Sequence, residues 1–291
     1  MTTRTLPQWQ ANLALFGVTI VWGATFVVVK DAIGTITPFY FLAGRFSLAA
    51  LVLALIPGTV RGLLPHWRLV IAPSLMMTSG FALQTLGLQF TTASRAGFIT
   101  GLSVILVPLI VSLYSRAWPP RQVTLGVTLA ALGLFFLSGT GRDPFNFGDA
   151  LVLGCALSFA LQIITIGRRA KELNPLSFAL GMTGVAATLF SSLALTLESP
   201  PTSFPPELFF ALGMTAFLAT ALAFYVQCRM QQFTSATHTA LIFSAEPVFA
   251  AVFGYLVAGE RLGLLGVLGG AMIVLGIVLA ELRPLPAARP A

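Results

Sequence analysis

The segment at residues 81–91, FALQTLGLQFT, returns 143 residues later as FYVQCRMQQFT at residues 224–234. The same register pairs Gln84 with Gln227, and it continues downstream without a gap. Further pairs at this offset are Leu125 with Leu268, Gly126 with Gly269, Leu132 with Leu275 and Gly133 with Gly276. At an offset of 137 residues, Gly17 pairs with Gly154, Trp22 with Phe159 and Pro38 with Pro175. The chain is therefore predicted to be an internal duplication.

Long apolar runs dominate both copies. The 291 residues are 57% hydrophobic and only 9% charged, far below the charged fraction of a soluble domain. Runs of about 17–23 apolar residues can each cross a bilayer as a helix, and their continuity favours helices over barrel strands. We predict ten spans, near residues 11–29, 38–56, 69–89, 96–113, 123–138, 147–167, 175–197, 208–228, 236–257 and 262–282.

An odd number of spans per copy fixes the relative orientation of the copies. Five crossings bring the chain to the other side of the bilayer, so the second copy enters upside down. The predicted fold is an all-α integral membrane protein, with ten transmembrane helices arranged as two inverted five-helix repeats around a central cavity. The repeats are placed at residues 1–140 and 141–291. Inverted repeats with a site at their interface are a recurrent design of secondary transporters.

The net charge of +7 reflects orientation in the membrane. If the N-terminus is cytoplasmic, eleven Lys and Arg residues fall in inner segments and four in outer loops. This positive-inside bias predicts an inner-membrane protein with both termini in the cytoplasm, and it argues against nucleic-acid binding. Cys155 and Cys228 lie within or at the end of spans, so they indicate neither a disulfide framework nor a metal site.

Four motifs carry a family resemblance. They are VWGATF at 21–26, FYFLAGRFSLAAL at 39–51, TTASRAGFITGLSVILVP at 91–108 and TSATHTALIFSAEPVFAAVFGYLVAGERL at 234–262. Together they resemble the EamA type of the drug/metabolite transporter superfamily, including its exporters of aromatic and hydrophobic amino acids. The resemblance implies a ten-helix carrier without a cofactor. It also implies small-molecule substrates such as amino acids, amines, nucleobase-like compounds or drugs.

Two ionisable residues fall well inside predicted spans. An ionised group near the bilayer centre is costly, so Arg45 and Glu246 are expected to face the protein interior or a wet cavity. Glu246 either couples protons or binds a substrate amine, or it is a bonded carboxylate at a kink formed by Pro247. Arg45 is interpreted as a snorkelling or helix-bridging arginine, with capture of a substrate carboxylate as the alternative.

The polar and aromatic positions of the repeats complete the predicted site. An amide suits a zwitterion without the desolvation cost of a charge, but membrane glutamines also join helices. Ser103, Ser244 and His238 each have such a structural alternative: back-bonding for the serines and a polar helix interface for the histidine. The predicted substrate-binding residues are Trp22, Thr25, Phe26, Phe81, Gln84, Phe98, Ser103, Phe159, Gln162, Phe224, Gln227, Phe243 and Glu246.

These patterns favour one functional class. The leading hypothesis is a carrier that exports hydrophobic or aromatic amino acids by alternating access, and the alternative is a multidrug or amine efflux carrier. An intramembrane enzyme is disfavoured because the sequence offers no nucleophile–base pair, no pair of intramembrane aspartates and only two histidines. A channel is disfavoured because no ring of pore charges is evident. The glycines of span ten suggest a possible homodimer contact.

Overall fold

A computed structural model describes residues 6–91, 93–137, 145–258 and 263–281, and within these ranges the regular structure is helical without strands. Its helices are α1 (Gln8–Ala32), α2 (Pro38–Leu55), α3 (Thr59–Leu63), α4 (Trp67–Gly87), α5 (Ala93–Gly101), α6 (Ser103–Ser115), α7 (Arg121–Leu137), α8 (Phe147–Arg169), α9 (Pro175–Leu197), α10 (Pro206–Ala216), α11 (Ala223–Met230), α12 (Ala236–Phe243), α13 (Glu246–Ala258) and α14 (Leu264–Glu281). A π-helical segment, Phe217–Leu222, joins α10 to α11. We call the side where α1 begins and α14 ends the terminal face.

The described helices include seven segments long and apolar enough to cross a membrane. Two shorter apolar helices, Arg121–Leu137 and Leu264–Ala280, lie at the predicted fifth and tenth spans, and α1 lies at the first. Large apolar side chains such as Leu113 and Leu195 are exposed on the outside of the bundle, as expected for contact with lipid. The all-helical membrane class is thus confirmed, while the count of ten crossings stays a prediction.

Local sequence signals explain where several helices begin. Pro38, Pro175 and Pro206 each occupy the first turn of a helix, where the missing proline N–H costs nothing. Asn146 caps α8 by accepting from the Asp149 backbone N–H at 3.0 Å, and the Asp149 carboxylate accepts from the Asn146 N–H at 3.0 Å. This capping box fixes the start of the second copy.

Two spans are interrupted in the middle, at equivalent places. In the second copy α12 ends at Phe243 and α13 begins at Glu246, so the predicted break beside Pro247 is confirmed. In the first copy α5 ends at Gly101 and α6 begins at Ser103, although no proline stands there. The predicted fourth span, residues 96–113, is therefore interrupted as well, without a proline at the break.

Glycines allow α7 and α14 to pack with their backbones in contact. A Cβ added to Gly126 would lie 2.5 Å from the carbonyl oxygen of Gly276, and one added to Gly133 would lie 2.5 Å from that of Gly269. Gly126 is the repeat equivalent of Gly269, and Gly133 is the repeat equivalent of Gly276. Each contact therefore becomes the other when the two copies are exchanged. Two inverted copies related by a two-fold axis produce this pattern. The predicted homodimer stays a prediction, since these glycines of α14 are already in contact within the chain.

A carboxylate from one copy caps a helix of the other. Glu198, at the end of α9, accepts from the backbone N–H groups of Phe39 and Tyr40, both at 3.0 Å. These donors belong to the first turn of α2, where the helix dipole favours negative charge. The contact therefore satisfies two N–H groups that the helix itself leaves unpaired.

Glu198→Ala is expected to destabilise the protein by about 1–2 kcal/mol, because it removes a charged cap from a helix N-terminus. Thermal unfolding in detergent measures the effect. The matched control is Glu207→Ala, which removes an exposed acid from the first turn of α10 and is expected to have little effect. Equal unfolding temperatures for the two variants would contradict the capping role.

Candidate functional site

A central cavity lies between the two copies. The empty space along its lining, with open solvent at the mouth included, is about 910 Å³. Its lining residues are Trp22, Thr25, Val29, Arg45, Phe81, Gln84, Thr85, Leu88, Gly97, Thr100, Gly101, Ser103, Phe159, Gln162, Ile163, Phe224, Phe243, Glu246 and Pro247. Val29, Leu88 and Gly97 lie near the ends of α1 and α4 and the start of α5. The cavity therefore extends from mid-depth toward the face opposite the terminal face.

Aromatic rings from both copies form the cavity wall. The ring of Trp22 lies 4.9 Å from that of Phe243 and 5.9 Å from that of Phe224, measured between centroids. Phe81 packs against Phe159 at 5.3 Å and against Phe224 at 6.1 Å. Edge-to-face geometry of this kind fixes the rings against one another. The wall is a preformed apolar surface suited to a planar or branched hydrophobic group.

Arg45 bridges α2 to the π-helical segment and points into the bundle. It is only 4% exposed; its Nε donates to Thr220 Oγ1 at 2.7 Å and its Nη2 to the Ala219 carbonyl at 3.4 Å. The guanidinium carbon also lies 4.8 Å from the centroid of the Phe81 ring. Arg45 therefore bridges two helical segments with its head group inside the bundle, and its role toward a substrate stays a prediction. The remaining donors of the guanidinium are available on the cavity side.

The π-helical segment provides the anchor for this corner of the cavity. A π-helix shifts backbone pairing to i→i+5 and is often found at functional sites. Here the Ala219 carbonyl accepts from Trp22 Nε1 at 2.9 Å as well as from Arg45. One carbonyl therefore joins α1 and α2 to the eighth span.

Glu246 brings a carboxylate to the cavity at the start of α13. The half-buried side chain lines the cavity, and among the described residues no hydrogen bond is made to its carboxylate. Its backbone is held close to α1, because a Cβ added to Gly23 would lie 2.9 Å from the Glu246 carbonyl oxygen. Glu246 and Arg45 line the same cavity. A helix N-terminus stabilises the carboxylate, and its oxygens are free to accept from a ligand.

Polar groups of the first copy also line the cavity. Gln84 Nε2 donates to Thr100 Oγ1 at 3.2 Å, and both residues line the cavity. Ser103 lines the cavity beside the interruption between α5 and α6. Ser244, at the interruption between α12 and α13, instead donates back to the Leu241 carbonyl at 2.6 Å. The hydroxyls of the lining therefore come from the first copy, whereas each copy contributes one amide, Gln84 and Gln162.

Two predicted site residues lie elsewhere. Gln227 is fully buried below the cavity and is bonded to Gln162 and Gln231, so it joins helices. Phe98 packs into the cores on either side of α5, because Gly97, Thr100 and Gly101 form the face of that helix that lines the cavity. Neither residue lines the cavity in this structure, and their role in binding stays a prediction. The side chain of Phe26 lies outside the described residues.

The other predicted residues lie on the cavity lining, and their role in binding stays a prediction. Seven lining residues were not predicted: Val29, Thr85, Leu88, Gly97, Thr100, Gly101 and Ile163. Two of them could have been found from the repeat register. Thr100 is equivalent to Phe243 and Ile163 to Phe26, and both phenylalanines were predicted site residues.

The remaining candidates have structural surroundings. His238 is buried near the start of α12, its Nδ1 2.9 Å from the Oγ of Ser235, the capping residue of that helix. Cys155 and Cys228 are free and buried, which agrees with the absence of a disulfide framework from the sequence pattern.

Comparison with known proteins places this arrangement among transporters. A transporter of Archaeoglobus fulgidus, named uncharacterized, is 35% identical over 94% of this chain and 86% of its own. The S-adenosylmethionine/S-adenosylhomocysteine transporter of Chlamydia trachomatis is 25% identical over 88% of this chain and 84% of its own. A solved crystal structure matches the fold with a TM-score of 0.77 at 18% identity, over 94% of this chain and 96% of that one.

The family model gives the most specific match. The description "EamA-like transporter family" matches twice, over residues 9–139 and again over residues 146–282. The two matches span nearly the whole chain and meet where α7 ends and α8 begins. The chain therefore belongs to the EamA-like transporter family.

Proposed function

We propose that the protein is a carrier that exports small zwitterions with a hydrophobic or aromatic side group, foremost aromatic and hydrophobic amino acids, by alternating access. The observation that carries the proposal is that Arg45, Glu246 and a group of aromatic rings line one cavity. Arg45 would bind the carboxylate of the substrate, Glu246 its ammonium group, and the rings its side chain. Such an arrangement pairs both charges of a zwitterion in a low-dielectric site.

The two copies support the alternating-access part of the proposal. Equivalent glycines of α7 and α14 meet in mirrored pairs, and equivalent spans are interrupted beside the cavity. Halves that can exchange conformations give a carrier two states of similar energy. The uneven distribution of Lys and Arg supports an inner-membrane location with cytoplasmic termini.

A ligand panel tests the substrate class. Thermal stabilisation of the purified protein would be measured with L-phenylalanine, its carboxamide, its N-acetyl derivative and phenethylamine. Only the intact zwitterion is expected to stabilise strongly, because each analogue leaves one cavity charge unpaired. Stabilisation by phenethylamine equal to that by phenylalanine would instead favour the amine-efflux alternative.

Transport of the stabilising ligand separates a carrier from a channel. In proteoliposomes, excess unlabelled substrate on one side should accelerate the entry of labelled substrate from the other, because a carrier must return through the same site. Entry that does not respond to substrate inside would contradict alternating access.

A second candidate substrate is S-adenosylmethionine or S-adenosylhomocysteine. The named Chlamydia trachomatis relative favours it, and both molecules combine an amino-acid zwitterion with an aromatic base. Both compounds therefore belong in the same thermal panel, where stronger stabilisation than by phenylalanine would select this candidate.

A further inference from the structure

A cluster of three glutamines lies between the cavity and the terminal face. Gln162 and Gln227 exchange hydrogen bonds, each amide nitrogen lying 3.3 Å from the other's oxygen. Gln227 also donates to Gln231 at 3.1 Å, and Gln231 donates to the Ile163 carbonyl at 2.9 Å. All three side chains are at most 3% exposed. We call Gln162, Gln227 and Gln231 the glutamine cluster.

The glutamine cluster closes the terminal side of the cavity. Gln162 and Ile163 of α8 form the last of the lining at this depth, and Gln227 and Gln231 come from the end of the eighth span. Farther toward the terminal face, Gln232 extends the same set of contacts by donating to the Ala170 carbonyl at 2.6 Å. The two spans are thus joined by side-chain amides along the route from the cavity to the terminal face.

Buried amides are suited to a contact that opens and closes. When paired, their donors and acceptors are satisfied in the dry interior; when separated, they need water, which a widening passage would supply. The net free energy of each such bond is small, because water replaces it. The contact can therefore hold one conformation without preventing the other.

The repeat equivalents of the glutamine cluster are separated on the other side of the cavity. Gln84 is equivalent to Gln227, Leu88 to Gln231 and Thr25 to Gln162. All three equivalents line the open part of the cavity. Thr25 donates to its own helix at the Trp22 carbonyl, 2.8 Å away, and Gln84 donates to Thr100. No hydrogen bond links Thr25 to Gln84, both of which are described residues.

We infer that the glutamine cluster is the gate on the terminal side, and that Thr25, Gln84 and Leu88 form the opposite gate when the two copies exchange conformations. This inference rests on the proposed carrier function and adds the residues that alternate. Because α1 is equivalent to α8, closure of the opposite gate would bring α1 toward α4 and separate α8 from α11.

The two gates differ at two positions, Thr25 in place of Gln162 and Leu88 in place of Gln231, and these differences set the resting state. Leu88 stands where the second copy has Gln231, so the opposite gate lacks the amide that donates to a neighbouring backbone carbonyl. With fewer bonds available to close it, the opposite gate is open at rest and the glutamine cluster is closed. In the structure the opposite gate is open and the glutamine cluster is closed.

Exchanging the two residues tests the inference. Q231L/L88Q moves the amide of residue 231 from the glutamine cluster to residue 88 in the opposite gate. The composition of the protein does not change. A reporter cysteine, Ser103→Cys, would be placed in the cavity after both native cysteines, which are free and buried, are replaced by alanine. A membrane-impermeant maleimide is then applied to either face of sealed vesicles of known orientation.

The unswapped protein is expected to label from the face opposite the termini. In Q231L/L88Q the ratio of terminal-face to opposite-face labelling is expected to rise about tenfold or more, because one gate loses a hydrogen bond and the other gains one. Q84M is expected to shift the ratio the other way, since it weakens only the opposite gate. The matched control is Gln89→Leu, an exposed position just beyond α4 that is expected to leave the ratio unchanged.

An unchanged ratio in Q231L/L88Q, with elution and unfolding temperature as in the unswapped protein, would overturn the gate. If that variant does not fold, Leu88→Gln alone serves, because it adds an amide at the cavity wall and breaks no existing bond; it is expected to slow labelling from the opposite face. Labelling needs no transported substrate. If the labelling ratio shifts but the proposed substrates are not transported, the gate is supported and the proposed substrate class is rejected. If the substrates are transported but the labelling ratio does not shift, the substrate class is supported and the gate is rejected.

Discussion

Glu246→Gln is expected to weaken binding of a zwitterionic substrate about ten- to a hundredfold, without lowering the unfolding temperature. A charge-assisted hydrogen bond contributes about 1.5–3 kcal/mol, and the amide keeps the shape but removes the charge. Stability is preserved because no hydrogen bond to the carboxylate exists among the described residues, so the variant breaks none. Thermal-shift titration with L-phenylalanine and with its N-acetyl derivative measures the effect.

The control and the two possible roles of Glu246 give distinct results. If Glu246 binds the ammonium group, affinity falls for phenylalanine and is unchanged for the N-acetyl derivative. If it couples protons, affinity is retained and accumulation driven by a proton gradient is lost. Glu207→Gln removes another carboxylate from a first helical turn, at an exposed position, and is expected to change neither. Full affinity together with full proton-driven transport in the Glu246 variant would exclude both roles.

The two charged residues of the site could be predicted from the sequence, because an ionisable side chain deep within an apolar span is costly and therefore stands out. Arg45 and Glu246 are the ionisable residues that the hydropathy pattern places deep within spans, and both line the cavity. Their partners could not be predicted. The bonds of Arg45 to Thr220 and to the Ala219 carbonyl depend on a π-helical turn, and Phe217–Leu222 contains no proline or glycine that would indicate one.

The glutamines show where sequence reasoning stops. Gln84 and Gln227 occupy equivalent positions, yet one lines the cavity and the other is buried in a contact between helices. An amide can serve either purpose, and the choice depends on which half of the molecule is closed. Periodicity within a repeat carries no information about the conformational state, so equivalent residues are assigned the same role.

Proline was a partial guide to the helix interruptions. Pro247 stands at the break in span nine, but span four breaks at the equivalent place without a proline. Pro73 and Pro108, in contrast, lie inside α4 and α6, which continue through them. A membrane helix tolerates proline where neighbouring groups satisfy the freed carbonyl. The register pairs Ser103 with Glu246, so the two breaks lie at equivalent positions.

Gly269→Leu is expected to destabilise the protein by about 3 kcal/mol or more, the upper end for overpacking in a core. A Cβ at Gly269 would lie 2.5 Å from the carbonyl oxygen of Gly133 and 2.5 Å from the backbone nitrogen of Leu137. Backbone atoms cannot rotate aside, so α14 must move away from α7 along the contact between the copies. The yield of monodisperse protein and its unfolding temperature in detergent measure the effect.

The inverted arrangement adds a second requirement, which concerns the equivalent position of the first copy. That position is altered by Gly126→Leu. There a Cβ would lie 2.5 Å from the Gly276 carbonyl oxygen, so the two variants are expected to be damaged to a similar degree. Gly184→Leu is the matched control: Gly184 lies within α9, and nothing would lie within 4 Å of its added Cβ. Leucine favours helix over glycine, so this variant is expected to be neutral or more stable. Tolerance of leucine at Gly269, or damage at only one of the two equivalent positions, would mean that α7 and α14 do not meet as mirrored copies.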